Sequence, residues 1–134
     1  MLNVMLVDDS ITIRRVLRNV LERMMGKDNI NICEAGDGVE AFSVLGANPE
    51  VTLIMLDVNM PEMNGTEFLE KLRKNPEHND KRVIMVTTEA EKKAVMRHMK
   101  LGANGYIAKP FTPVVMKKSL TPILARMGID IPAE

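Results

Sequence analysis

The sequence has one cysteine, no tryptophan and one tyrosine among its 134 residues. A single thiol cannot form a disulfide within the chain, which indicates a reducing, cytoplasmic setting. No apolar run approaches the 18 or more residues of a membrane helix, and the first residues lack the basic region of a signal peptide. Because aromatic residues make up only 3% of the chain, aliphatic side chains and flexible methionines must fill much of the core.

An excess of charge of either sign is missing too. Eighteen basic and eighteen acidic residues leave a formal net charge of +0, which gives no electrostatic reason to expect nucleic acid or a membrane as a partner. The length is that of one ordinary domain. We therefore expect one domain over residues 1–127 and a C-terminal tail over 128–134, with no output domain.

What the sequence does contain is a regular alternation of two patterns. Five short apolar runs predict strands, at 3–7, 30–33, 51–56, 83–86 and 106–108. Helical spacing of apolar residues predicts helices over 10–26, 37–45, 66–74, 90–101 and 114–127. Several strands are apolar without alternation, as in sheets covered on both faces. The pattern predicts an α/β fold, a doubly wound five-stranded parallel sheet with helices on both faces.

Two residues of the predicted helices draw specific expectations. Pro122 lies inside the last helix, where it would remove a hydrogen bond, so we expect a kink or a restart there with Thr121 as a new cap. His98 lies on a charged helix and is expected to be solvated.

Polar residues gather where the predicted strands end. Asp8 and Asp9 follow the first strand, Asp57 ends the third, Thr87 ends the fourth and Lys109 ends the fifth. Ligands of open parallel sheets bind beyond these carboxyl ends. Three neighbouring carboxylates need a positive charge, and an all-oxygen set favours Mg²⁺ over zinc. A lysine beside a metal suggests a bound phosphoryl group, which Asp57 could accept as a nucleophile.

Four motifs then carry a family resemblance: VDDS (7–10), LDVNMPEMNG (56–65), TTEA (87–90) and GYIAKPFTP (105–113). In order and spacing they resemble the response-regulator receiver domain, most closely its single-domain chemotaxis form of the CheY type. The resemblance covers residues from about 2 to about 121. It implies a flavodoxin-like (βα)5 fold with the strand order 2-1-3-4-5.

The resemblance also implies roles for the residues at the sheet edge. Asp57 corresponds to the phosphoacceptor, Asp9 to a direct Mg²⁺ ligand and Asp8 to a ligand acting largely through water. Asn59 would offer the metal its backbone carbonyl. Lys109 would pair with the phosphoryl group, and its bond to Pro110 would be cis.

Further positions would transmit or time the signal. Thr87 corresponds to the switch hydroxyl and Tyr106 to a ring that changes rotamer with it. Asn59 and Glu89 occupy positions that tune the lifetime of the phosphoryl group. The expected output surface spans the fourth helix, the fifth strand and the fifth helix, and the residues expected to contact a partner are Ala90, Lys92, Val95, Met99, Ala103, Tyr106 and Ala108.

The function implied is that of a stand-alone response regulator in a phosphorelay. A histidine kinase of the CheA type would phosphorylate Asp57, and a flagellar motor switch protein of the FliM type, or another effector, would bind the product. A phosphatase is a further expected partner. The protein would be a monomer and no separate enzyme, although it would catalyse its own phosphorylation and dephosphorylation.

Three other functions stay open at this point. A receiver outside chemotaxis could act as a phosphoryl shuttle or sink, or as an adaptor to another effector. A metal-dependent phosphohydrolase could use Asp57 as its nucleophile. Phosphohydrolases that resemble the haloacid dehalogenase family, however, carry a second aspartate two residues later as a general acid, and this chain has Asn59 there. A nucleotide-binding module is weaker still, because no phosphate-binding glycine motif follows a strand.

Overall fold

The computed structural model describes residues 1–88 and 93–132, in which strands and helices alternate as predicted. The strands are β1 (Leu2–Val7), β2 (Ile30–Ala35), β3 (Leu53–Asp57), β4 (Arg82–Thr88) and β5 (Gly105–Lys109). The helices of the described part are α1 (Ile11–Met25), α2 (Gly38–Ala47), α3 (Gly65–Lys74), α4 (Val95–Lys100) and α5 (Pro113–Arg126).

The strands form one parallel sheet in the order β2-β1-β3-β4-β5. β3 lies at the centre and every one of its residues is buried. This is the order implied by the family resemblance, and the fold is the flavodoxin-like (βα)5 fold. The reversal of strand order beside β1 and β3 creates the crevice in which such sheets place their ligands.

Two apolar clusters fill the space between the sheet and its helices. On one face α1 and α5 contribute Leu17, Leu21, Met116, Leu120 and Leu124. On the other face α2 and α3 contribute Ala41, Leu45, Phe68, Leu69 and Leu72. Burying one such large side chain stabilises the fold by about 1.5–3 kcal/mol. The cores on both faces explain why the strands lack polar alternation.

Four helices begin behind a side-chain cap that accepts a backbone hydrogen bond three residues later. The caps are Ser10, Asp37, Asn64 and Thr112. Asn64 forms a capping box with Glu67, since each side chain bonds the other's backbone N–H. The helix predicted over 10–26 is confirmed, since α1 begins directly after its cap Ser10 and ends directly before Gly26.

The expected restart at Pro122 is wrong, because α5 runs without a break from Pro113 to Arg126. Leu120 and Leu124 are fully buried on either side of the proline. Their burial holds the backbone in helical form, although Pro122 can donate no hydrogen bond. Thr121 does not cap a new helix; its hydroxyl donates to the Lys117 carbonyl at 2.6 Å.

The expectation of a solvated His98 is wrong as well. Its side chain is 1% exposed, and a hydrogen bond of 2.8 Å joins its Nε2 to Thr66 Oγ1 on α3. Ala103, expected on the partner surface, is instead buried in the apolar cluster beside α3. Both residues are inside because the end of α4 and the following turn pack down against α3.

The chain after α5 turns back onto the sheet. The Ile129 N–H donates to the Leu124 carbonyl at 2.8 Å, and Ile129 and Ile131 pack against the cluster beneath α1 and α5. In the described residues, no helix combines the length and apolar character needed to cross a membrane.

Candidate functional site

Strand register brings the predicted site residues to one level of the sheet. Val7 pairs with Leu56, so Asp8 lies beside Asp57 where β1 and β3 end. On the other side of β3, Thr87 pairs with Ala108, next to Lys109. The carboxyl ends of four strands therefore deliver their polar side chains to one crevice.

Three carboxylates meet in this crevice. One oxygen from each of Asp8, Asp9 and Asp57 lies within 4.8 Å of the others. Asp8 and Asp57 are buried, with 1% and 5% exposure, whereas Asp9 is exposed. Carboxylates held this close repel one another, so the site favours a positive group between them.

Lys109 provides one such group. Its Nζ donates to Asp8 Oδ2 at 2.8 Å and to Asp57 Oδ1 at 3.2 Å. Burial lowers the pKa of Lys109, but the hydrogen bonds and charges of Asp8 and Asp57 outweigh it, so the pKa lies above its ordinary value. Lys109 is therefore a fixed cation that bridges two strands.

One lysine does not balance three carboxylates, and the donor set fits a divalent cation. All three ligands are oxygens, which Mg²⁺ prefers, and the exposure of Asp9 leaves a solvent side for the waters that Mg²⁺ retains. Asp8, Asp9 and Asp57 are the residues that could hold it here.

Thr87 lies beside this group at the end of β4. Its side chain is fully buried, and its Oγ1 has no hydrogen-bond partner among the residues that the structure describes. A buried hydroxyl without a partner costs about 1–3 kcal/mol, so its position needs a functional explanation. Tyr106, on the neighbouring strand β5, is 40% exposed.

The turn after β3 fixes the backbone of the site. The Gly65 N–H donates to the Val58 carbonyl at 2.8 Å. A Cβ atom at Gly65 would overlap the Asp57 carbonyl oxygen and lie 3.0 Å from its carbonyl carbon. Glycine is therefore required here by close backbone approach. Asn59 lies exposed in this turn, and the Lys109–Pro110 bond is cis, as the resemblance implied.

Arg14 belongs to the site although the sequence did not indicate it. Its Nη1 donates to the Asp8 carbonyl, and its Nε donates to Glu34 Oε1 at 3.0 Å. Arg18 donates to Glu34 Oε2 at 2.8 Å. The signal available was weak: two arginines one helical turn apart on α1 and one acid near the end of β2. Together they tie the backbone of Asp8 to β2.

This ion cluster should contribute a measurable pH dependence. Burial raises the pKa of Glu34, but hydrogen bonds from Arg18 and Arg14 outweigh it and hold the pKa below the ordinary 4.5. A group with a lowered folded pKa stabilises the fold above pH 4.5, and the contribution is lost as pH falls through the folded pKa. Glu34→Gln should cost about 1 kcal/mol at neutral pH, and urea unfolding at pH 7 and pH 3 measures it. An equal cost at both pH values contradicts the assignment.

The predicted partner surface is described in part. Glu89, Ala90 and Lys92 lie outside the described residues. Of the others, Met99 is 41% exposed on α4, while Val95 and Ala108 are half-buried.

Comparison with known proteins adds independent support. Residues 4–121 match the family model for the response regulator receiver domain. A chemotaxis protein CheY homolog of Campylobacter jejuni is 45% identical over 92% of this chain and 92% of its own length. The structure of the chemotaxis response regulator CheY4 of Vibrio cholerae has a TM-score of 0.79 at 32% identity, covering 92% of this chain and 99% of that one.

A further similar structure is a complex of CheX with CheY, BeF3 and Mg²⁺ from Borrelia burgdorferi. Its TM-score is 0.80 at 26% identity, covering 92% of this chain and 89% of that one. Sequence, sheet order and the acidic crevice lead to the same result: the chain belongs to the response regulator receiver domain family.

Proposed function

We propose that this protein is a stand-alone response regulator that accepts a phosphoryl group on Asp57 from a histidine kinase. The observation that carries the proposal is the joint contact of Lys109 with Asp8 and Asp57 in a crevice of three carboxylates. A cation placed among acids suits a site whose substrate is an anion. Binding of a cation alone would not call for a lysine.

The chemistry follows from the positions of the side chains. A carboxylate oxygen of Asp57 bonds to phosphorus as the phosphorus–nitrogen bond of a phosphohistidine breaks, and the bonding pair returns to the departing imidazole. Lys109 and the Thr87 hydroxyl stabilise charge on the transferred oxygens. When bound by Asp8, Asp9, Asp57 and the Asn59 carbonyl, Mg²⁺ supplies charge neutralisation to the same oxygens.

Transfer of the phosphoryl group changes the interactions available to Lys109 and Thr87, and this change starts the signal. Phosphoryl oxygens draw Lys109 away from Asp8, and they offer an acceptor to the buried Thr87 hydroxyl. Movement of Thr87 then alters the space beside β5, where Tyr106 changes rotamer. Phosphorylation thereby biases two states of the surface formed by α4, β5 and α5. Water later hydrolyses the acyl phosphate, at a rate tuned from positions Asn59 and Glu89.

Chemotaxis is the most specific setting that the relatives support. Both the Campylobacter relative and the Vibrio structure carry chemotaxis in their names. We therefore propose that this protein carries a signal from a CheA-type kinase to a FliM-type motor switch protein. It would do so in the cytoplasm. The Borrelia complex of CheX with CheY suggests a further protein partner, such as a phosphatase. The protein would act as a monomer, and residues 1–127 would form its receiver domain.

Phosphorylation is tested with a small phosphodonor. Acetyl phosphate and Mg²⁺ should add one phosphoryl group to most molecules, detected by intact-mass spectrometry, because the protein supplies its own catalytic groups. Excess EDTA should prevent the addition, since Mg²⁺ is needed. Absence of any adduct with Mg²⁺ present would contradict the proposed function.

Partner choice needs a separate measurement. A peptide from a motor switch protein should bind the beryllofluoride form at least tenfold more tightly than the free form, as isothermal calorimetry would show. Absence of binding in both forms removes the motor assignment and favours a shuttle, sink or adaptor. Rapid turnover of small phosphomonoesters would instead support a phosphohydrolase, which Asn59 argues against.

A further inference from the structure

One face of α3 carries three polar side chains that all point to the α4 region. Thr66, Glu70 and Arg73 are spaced at one and nearly two helical turns, so they lie on the same side of the helix. We call them the α3 polar face. Each one contacts α4 or the turn after it, and the three contacts differ in burial and therefore in strength.

The contacts made by Glu70 and Arg73 have ordinary structural roles. Arg97 lies 3.8 Å from Glu70 with 71% and 40% exposure, and a pair so exposed contributes little to stability. Arg73 donates to the Gly102 carbonyl at 3.0 Å and to two further backbone carbonyls, at His78 and Lys81. Arg73 thus fastens loops together, independently of the acidic crevice.

The contact between Thr66 and His98 differs because it is buried. His98 is 1% exposed, and its Nε2 lies 2.8 Å from Thr66 Oγ1. A buried imidazole loses its hydration, and the hydrogen bond with the Thr66 hydroxyl offsets that cost. Polar pairs of this kind specify one arrangement of packed elements more strictly than apolar contacts do.

The ends of this bond lead to two functional positions. Thr66 directly follows Gly65, whose N–H bonds the Val58 carbonyl and whose Cα packs against the Asp57 carbonyl. On the other side, the Ala103 N–H donates to the His98 carbonyl at 3.0 Å, two residues before β5 begins. A path therefore runs from the backbone of Asp57 to β5 without passing through Thr87.

We propose that the hydrogen bond between Thr66 and His98 holds α4 against α3 in the arrangement that precedes phosphorylation, and that it opposes the phosphorylated state. The inference rests on the proposed function. In the described arrangement Lys109 contacts both carboxylates and the Thr87 hydroxyl has no described partner. Phosphorylation would rearrange the groups around Asp57, and Gly65 links the Asp57 backbone to the following Thr66.

A bond that is formed in only one of two states shifts the equilibrium toward that state. Its removal should therefore make the other state easier to reach. A neutral buried hydrogen bond of typical strength corresponds to a change of about fivefold in the equilibrium constant. A bond that persists in both states would change stability and leave ligand affinity unaltered.

The test is a titration of beryllofluoride with Mg²⁺. Tyr106 is the chain's one tyrosine and no tryptophan is present, so intrinsic fluorescence reports on one ring, on the strand that follows α4. Thr66→Val removes the hydroxyl at nearly constant volume and should tighten beryllofluoride binding about fivefold. Thr66→Ser keeps the hydroxyl and should bind like the wild type, as should the matched control Glu70→Gln at the exposed contact.

The outcomes separate this inference from the proposed function. An unchanged or weaker affinity in Thr66→Val, with the wild type responding normally, overturns the inference alone. A wild type that does not respond to beryllofluoride overturns both. Nitrogen-15 NMR of the imidazole rings needs no variant, because the chain has only two histidines. The Nε2 resonance of His98 should shift when beryllofluoride is added; an unmoved resonance overturns the inference even if the valine variant does not fold.

Discussion

Asp57→Asn should abolish phosphorylation by acetyl phosphate. An amide oxygen is a poor nucleophile toward phosphorus, so intact-mass spectrometry should show a reduction of at least a hundredfold in the phosphorylated fraction. The same change removes one of three neighbouring negative charges. It should therefore weaken Mg²⁺ binding while relieving repulsion between Asp8, Asp9 and position 57.

The fold should survive this substitution, because asparagine has nearly the volume of aspartate. Thermal unfolding in EDTA should show a stability equal to or above that of the wild type, which distinguishes lost chemistry from lost structure. Asp37→Asn is the matched control: the Asp37 side chain caps α2 at the Glu40 N–H and is not one of the three clustered carboxylates, so this variant should leave phosphorylation intact. A phosphoryl adduct that persists undiminished in Asp57→Asn would falsify the assignment of the acceptor.

Gly65→Ala should have the second large effect, on folding and on the site together. The new methyl group would overlap the Asp57 carbonyl oxygen and lie 3.0 Å from Val58 Cα, and both obstacles are backbone atoms. Backbone cannot turn aside as a flexible side chain can, so α3 must shift away from β3. We expect a loss of about 3 kcal/mol or more in the free energy of unfolding, the scale of severe packing errors.

Gly46→Ala is the matched control for this prediction. Gly46 lies in α2, and a Cβ atom there would have no heavy atom within 4 Å. Alanine favours a helix over glycine by about 1 kcal/mol, so this variant should be slightly more stable than the wild type. Urea unfolding compares the two variants directly. Similar stabilities for both would show that the close approach at Gly65 is not a constraint.

The parts of the fold that the sequence predicted are those that depend on local pattern. Uninterrupted apolar runs indicate strands buried on both faces, and the spacing around Leu17 and Leu21 indicates which side of α1 faces the sheet. Caps such as Ser10 act within one helical turn. Since parallel strands end at a common edge, Asp8, Asp57 and Lys109 could be expected together before their distances were known.

The parts that the sequence did not predict depend on contacts between distant elements. Nothing near His98 in the chain indicates that Thr66, thirty-two residues away, would satisfy its imidazole. Arg14 looks like a solvated helix residue until Glu34 is brought beside it. Pro122 would break an isolated helix, but tertiary burial of its neighbours holds α5 together. Local propensity is a weak guide wherever packing supplies the larger free energy.

The order of the strands gives the site residues unequal positions in the sheet. β3 has a hydrogen-bonded neighbour on each side, whereas β5, within residues 1–88 and 93–132, pairs with β4 alone and forms an edge of the sheet. An edge strand has no hydrogen-bonded strand on one of its sides. The proposed acceptor Asp57 thus stands on the central strand, and Lys109 and Tyr106 stand on an edge strand. Under the proposed function, phosphorylation on the central strand would be transmitted to side chains on an edge strand.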